Sequence, residues 1–144
     1  MKNTGMAAAG FMIVPRHVLG GPGFIAPSDK LNIAGIGVGG KGQSDIASFA
    51  ESPNVNIVSL CDVDDRQAIA SREAFPKASY FNDFREMLEK EGDNIDAVSV
   101  STPDHNHAVA AYQAMSMGKH VYVQKPLTHD IWEARMLTEA AKKF

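Results

Sequence analysis

From Leu31 to the C-terminus, short apolar runs alternate with stretches whose apolar residues recur every three or four positions. Leu31–Ile36, Val55–Cys61, Ser79–Phe81, residues 95–100 and His120–Val123 read as strands. The second, Val-Asn-Ile-Val-Ser-Leu-Cys, is rich in β-branched residues, as a strand covered on both faces requires. Residues 44–51, 64–75, 83–90, 105–117 and 130–143 read as the intervening helices. Pro53, Pro76 and Gly118 supply stops, and Asp83 can cap its helix with Glu86, three residues later, as a capping-box partner. Gly92–Asn94 reads as a turn. Strands that alternate with helices predict an α/β fold: a doubly wound parallel sheet with right-handed crossovers, in the order 3-2-1-4-5.

The first strand opens into Gly37-Val-Gly-Gly-Lys-Gly42, and Asp62 ends the second strand twenty residues further on. Glycines there let backbone N–H groups approach a pyrophosphate, the next helix N-terminus favours its charge, and the acid takes ribose hydroxyls. The layout predicts a Rossmann-type dinucleotide site. Two registers fit, Gly35-x-Gly37-x-x-Gly40 and Gly37-x-Gly39-x-x-Gly42. The second leaves the first strand uninterrupted and sets Gly42 in the first helical turn, where a small residue permits close helix–strand packing. Residues 35–41 also match the start of a P-loop, but Gly42 stands where a Ser or Thr should hold magnesium. Asp62 favours NAD over NADP, because a carboxylate accepts both ribose hydroxyls and repels a 2′-phosphate. Its alternative is a helix cap, a role for which Asp64 is better placed.

Ligands of such sheets bind at the carboxyl ends of the strands, near the switch point between strands one and four. Three segments meet there: the glycine loop, Ser101-Thr-Pro-Asp-His-Asn-His107, and Gln124-Lys-Pro126. His107 is expected near the nicotinamide, while Asp104 and Asn106 suit helix capping. His105 and His107 are two residues apart and do not share a helical face, and no Cys or Glu cluster accompanies them, so no metal centre is predicted. His120 reads as a core or edge histidine, His129 as surface, and Trp132 as packing on the last helix.

The 144 residues, 44% hydrophobic, suffice for one globular domain with a proper core. A net charge of −3 offers no basic footprint for nucleic acid and no polybasic patch for a membrane. Cys61, the single cysteine, excludes an internal disulfide and reads as a buried small residue. Residues 5–14 form an apolar run too short to span a bilayer but of signal-peptide length, preceded only by Lys2. Residues 1–29 therefore read as an N-terminal arm left from an export signal, for a periplasmic or otherwise exported protein. The alternative is a loosely packed arm on a cytoplasmic one. Residues 30–144 read as the dinucleotide-binding domain.

Together, Gly37-x-Gly39-x-x-Gly42, Cys-Asp62, Thr-Pro-x-x-x-His107 and Gln-Lys-Pro126 resemble the N-terminal half of the Gfo/Idh/MocA family, the glucose–fructose oxidoreductase and inositol dehydrogenase group. The arm also resembles that of the exported, sugar-acting branch. The resemblance implies NAD(P)-dependent oxidation or reduction of a sugar, cyclitol or derivative. It puts Gly37, Gly39, Gly40, Gly42, Asp62, Thr102, Pro103, His107, Gln124 and Lys125 at the cofactor, with Thr102 and Pro103 at the nicotinamide end. Lys125 is then the catalytic residue, beside the nicotinamide ribose and the substrate hydroxyl, where an ammonium orients substrate and relays its proton. Gln124 departs from the family's usual Glu; it still hydrogen-bonds a ribose but places no negative charge beside Lys125. The family also carries a second α/β domain that holds the substrate pocket, and its full-length members imply a homo-oligomer. This chain ends at Phe144, so alone it is expected to bind NAD and turn over no sugar. Two further readings stay open: an NAD-dependent glycosidase of the same family, and a non-catalytic NAD-binding regulator, against which Lys125 argues.

Overall fold

The alternation of apolar runs translates directly into the sheet. A computed structural model describes Gly21 and residues 25–144, so the run at 5–14 and the export-signal reading lie outside the described residues. β1 (Leu31–Ile36), β2 (Val55–Cys61), β3 (Ser79–Phe81), β4 (Ala97–Val100) and β5 (His120–Val123) form one sheet in the order β3-β2-β1-β4-β5. Every pairing is parallel. β4 is two residues shorter than its apolar run. Asp96 is drawn into a lead-in, its carboxylate accepting the Asn32 N–H at 2.8 Å and its own N–H donating to the Asn32 carbonyl at 3.0 Å.

The helices are α1 (Lys41–Ala50), α2 (Asp65–Ala74), α3 (Phe84–Glu91), α4 (His107–Ser116) and α5 (Ile131–Lys143). Asp64, Asp83 and Asp130 cap α2, α3 and α5, accepting from the N–H groups of Arg66, Arg85 and Glu133. The capping box expected at Asp83 is only half formed, because Glu86 turns to Lys90 at 2.6 Å. A reciprocal exchange appears instead at α5, where Glu133 also accepts the His129 N–H at 3.0 Å. α1 starts three residues earlier than the sequence reading, with Gly40 at its N-cap, and α4 starts two later, after a 3-10 turn over Asp104–Asn106.

Alternation along the strands covers both faces of the sheet. Ala34, Ile36, Val98 and Val100 face Met87 and Leu88 of α3 and Ala110 and Ala114 of α4. Ile33 and Leu60 face Ile46 of α1 and Ala68 of α2. No described helix is long and apolar enough to cross a membrane.

The tightest contact is at Gly42. A Cβ there would fall on the carbonyl oxygen of Gly37. At Gly92, by contrast, a Cβ would meet only the Met117 Cε at 3.4 Å, on an α-helical backbone. Gly42→Ala should therefore cost at least about 1–3 kcal/mol, the range for overpacking. Gly92→Ala should be neutral or stabilising by up to about 1 kcal/mol, through lost unfolded-state entropy. Urea midpoints of the two variants at constant slope check the contrast.

Candidate functional site

Each central strand passes its register one residue beyond its end. Gly37 N–H donates to the Cys61 carbonyl and Ser101 N–H to that of Ile36, both at 2.8 Å. Gln124 N–H donates to the Val100 carbonyl at 2.9 Å. These bonds gather the glycine loop, the 101–107 segment and the 124–126 segment on one sheet edge. There, a cleft of about 740 Å³ is bounded by Gly37, Gly39, Gly40, Asp62, Thr102 and Pro103.

The glycines serve different contacts. Gly37 has φ +77°, and a Cβ on it would lie 2.7 Å from the Thr102 nitrogen. Gly39 packs on α2, where its Cβ would come within 2.6 Å of Gln67 Cβ. Gly40 faces open space at the start of α1. Among the described residues, the N–H groups of Gly40 and Lys41 take no hydrogen-bond partner. A helix N-terminus with free donors suits a pyrophosphate. Thr102 adds a buried Oγ1 with no partner among the described residues. Cradle, free donors and orphaned hydroxyl all fit a dinucleotide.

Asp62 uses both carboxylate oxygens on backbone. Oδ2 accepts Gly39 N–H at 2.9 Å, and Oδ1 accepts Asp64 N–H at 3.0 Å. The helix cap is Asp64, so Asp62 is a tie between the loop and β2. Each of its oxygens keeps a second lone pair for a ribose hydroxyl. Its carbonyl is held in turn by Tyr80 Oη and Asn82 Nδ2, both at 3.0 Å, and the same two groups donate to Asp65. Those hydrogen bonds, Asn82 first, hold the Asp65 carboxyl below its usual range. Burial, with Asp62 and Asp83 nearby, pushes the Cys61 thiol up to about 12, which keeps it an inert core residue.

Two of the expected contacts take a different form. His107 is only 1% exposed, with Nδ1 2.8 Å from the Pro126 carbonyl and Nε2 2.7 Å from that of Thr102. Both ring nitrogens face backbone carbonyls inside the protein, a neutral ring donating to one of the two, so His107 packs between the two loops from behind and does not line the cleft. Gln124, expected at the ribose, turns its amide toward α1, where Nε2 donates to Asp45 at 2.9 Å. Lys125 follows on a cis Lys125–Pro126 peptide, exposed and, among the described residues, without an ion-pair partner. His105 and His129 lie 3.7 and 3.5 Å from Asp104, and the His129 hydrogen bond comes first in lowering that carboxyl's pKa. The described residues contain no cluster suited to a metal. His120 is exposed at the start of β5. Trp132, expected to pack, is 69% exposed: it lines an open groove with Ala108, Val109 and Tyr112 of α4, and only Leu137 and Ala140 of its own helix are buried.

Residues 31–144 match the model of an oxidoreductase family with an NAD-binding Rossmann fold, named GFO_IDH_MocA. The chain belongs to the Gfo/Idh/MocA family. A "Glycosyl hydrolase family 109 protein 1" of Shewanella sp. strain ANA-3 is 35% identical over 84% of the chain and 28% of its own length. An "Alpha-N-acetylgalactosaminidase" of Shewanella oneidensis is 32% identical over the same shares. Among solved structures, GenD2 from gentamicin A biosynthesis, in complex with NAD, superposes with a TM-score of 0.73 at 28% identity. The superposition covers 92% of this chain and 35% of GenD2. The chain thus spans about a third of the length of the relatives it matches. The matched part is the family's NAD-binding Rossmann domain.

The residue of this Gfo/Idh/MocA domain that the sequence reading missed is Asp45. Only 7% exposed on α1, it accepts from Lys41 Nζ, from Ser101 Oγ at 2.8 Å and from Gln124 Nε2. Its one visible signal was the i, i+4 spacing from Lys41. Burial pushes its carboxyl up, but the hydrogen bonds from Lys41, Gln124 and Ser101 outweigh burial and hold it below the ordinary 3.8. A lowered folded value means the stabilisation is complete above the unfolded value of about 3.9 and lost as pH falls through the folded one. The stability gap between the parent chain and Asp45→Asn should therefore be widest near neutral pH and shrink below about pH 4. Urea titrations across that range measure it.

Proposed function

We propose that this domain serves an enzyme that moves hydride between NAD and a carbon of a sugar or sugar derivative, with Lys125 handling the hydroxyl proton. The observation that carries the reading is the placement of a free lysine amine on the loop joined to Thr102 by His107. NAD, when bound, supplies the hydride acceptor. The protein then contributes position: the start of α1 and Asp62 hold the phosphates and adenosine ribose, Thr102 offers its hydroxyl, and Lys125 orients the substrate oxygen.

Preference for NAD over NADP is supported by the carboxylate at the end of β2 and by the state of Arg85. That arginine lines the cleft but is bound to Asp83 through Nε and Nη2, both at 2.9 Å, so its charge is already committed. Asp62→Ala should weaken NAD binding by about 1–3 kcal/mol, or about 5- to 150-fold, and narrow the discrimination against NADP. Calorimetric titration of the unaltered chain with both dinucleotides is the control; equal affinities would contradict the assignment.

A second reading, net glycoside hydrolysis with NAD regenerated in each cycle, is favoured by the names of the two Shewanella relatives. Both readings share removal of a hydride and use Lys125 alike. They part in their products, assayed on a longer protein carrying this domain. Accumulating NADH with sugars or cyclitols marks a dehydrogenase, whereas free alcohol released from an N-acetylgalactosaminide without net NADH marks a glycosidase. In either case Lys125→Ala should abolish most turnover while leaving NAD affinity within about twofold. Full turnover by that variant would remove Lys125 from the chemistry.

A further inference from the structure

The Gln124 side chain has one possible orientation. Its Nε2 lies 2.9 Å from Asp45 Oδ2, and its Oε1 lies 2.8 Å from the Lys125 N–H. A carboxylate only accepts and a backbone N–H only donates, so exchanging the amide's ends would break both bonds. On the other side of Lys125, the Pro126 carbonyl meets His107. The backbone that presents the lysine is therefore gripped at both ends by buried polar side chains, Asp45 acting through Gln124 and His107 acting on Pro126. Asp45 also accepts from Ser101, the residue before Thr102.

We propose that Asp45 is a positioning residue of this site, which through Gln124 sets the backbone of Lys125 and demands an amide, not a carboxylate, at position 124. The proposal deepens the reading of Lys125 above and rests on it only for the lysine's chemical part. With Glu at 124, two carboxylates would meet at hydrogen-bond distance in a partly buried place. Like charges so placed cannot both stay ionised without cost. Either one of them takes up a proton, or the new side chain swings away and the Lys125 N–H loses its acceptor. Asn at 45 with Glu at 124 restores a matched pair of opposite polarity: the new amide donates, and the second oxygen of the new carboxylate still accepts from Lys125.

The test reads the backbone directly. In ¹H–¹⁵N spectra of the labelled 144-residue chain, Gln124→Glu should displace the Lys125 amide resonance and speed its exchange about tenfold, the equivalent of one lost hydrogen bond. The double variant Asp45→Asn/Gln124→Glu should return both toward the parent values. Amides of β1 and β2 serve as the folding control. If Gln124→Glu does not fold, Gln124→Ala, which removes both contacts and adds no charge, should show the same displacement with no rescue by Asp45→Asn. An unmoved Lys125 amide in the Gln124 variants, or no rescue of Gln124→Glu by Asp45→Asn, overturns the proposal. A responsive amide combined with full turnover by Lys125→Ala would keep Asp45 as the positioning residue and discard the acid–base reading. The reverse pattern would discard Asp45 alone.

Discussion

The site depends on one distance, that between the end of β1 and the first turn of α1. Gly42 brings the helix so near the Gly37 carbonyl that no side-chain carbon fits between them. That approach aims the helix N-terminus at the cleft and keeps Gly37 in contact with Thr102 in the loop after β4. Were α1 displaced by a methyl group, Asp45 would move with it, and with Asp45 the anchors of Ser101 and Gln124. Packing and polar geometry are here the same constraint.

Two carboxylates divide the work of holding the loops. Asp62 stands at the rim, bonded to two backbone N–H groups, with lone pairs left over. Asp45 stands inside, its acceptor capacity taken up by a lysine, a serine and an amide. The first keeps acceptor capacity free beside the cleft, and the second serves the protein's own architecture. Burial sets the difference, since a buried carboxylate is stable only where donors surround it.

The parallel sheet and its strand order were legible because every strand is a short apolar run bounded by turn residues. β1, β2, β3 and β5 have the boundaries read from the sequence, while α1 and α4 begin elsewhere because their first turns are set by loop contacts. The glycine turn from β1 into α1 was legible too, and in the structure Gly37, Gly39 and Gly42 each hold a close approach that a Cβ would block. What was hidden depends on tertiary contact. Gln124 bonds across 79 residues to Asp45, and no local pattern announces such a pair. His107 stands first in its helix, a position that looks accessible, yet the loops at Thr102 and Pro126 close over it. Trp132 misled for the opposite reason, since helical periodicity does not reveal how closely a neighbouring helix approaches.

The double tie made by Asp62 has a kinetic meaning. Because one carboxylate already holds the glycine loop and the turn after β2 together in the free domain, those backbone amides are oriented before any cofactor arrives. Little entropy of this loop remains to be lost on binding, and the direction of the carboxylate is already set. Cofactor entry is then docking onto a finished surface, with a rate governed by encounter and by the charge of the two partners rather than by folding of the loop.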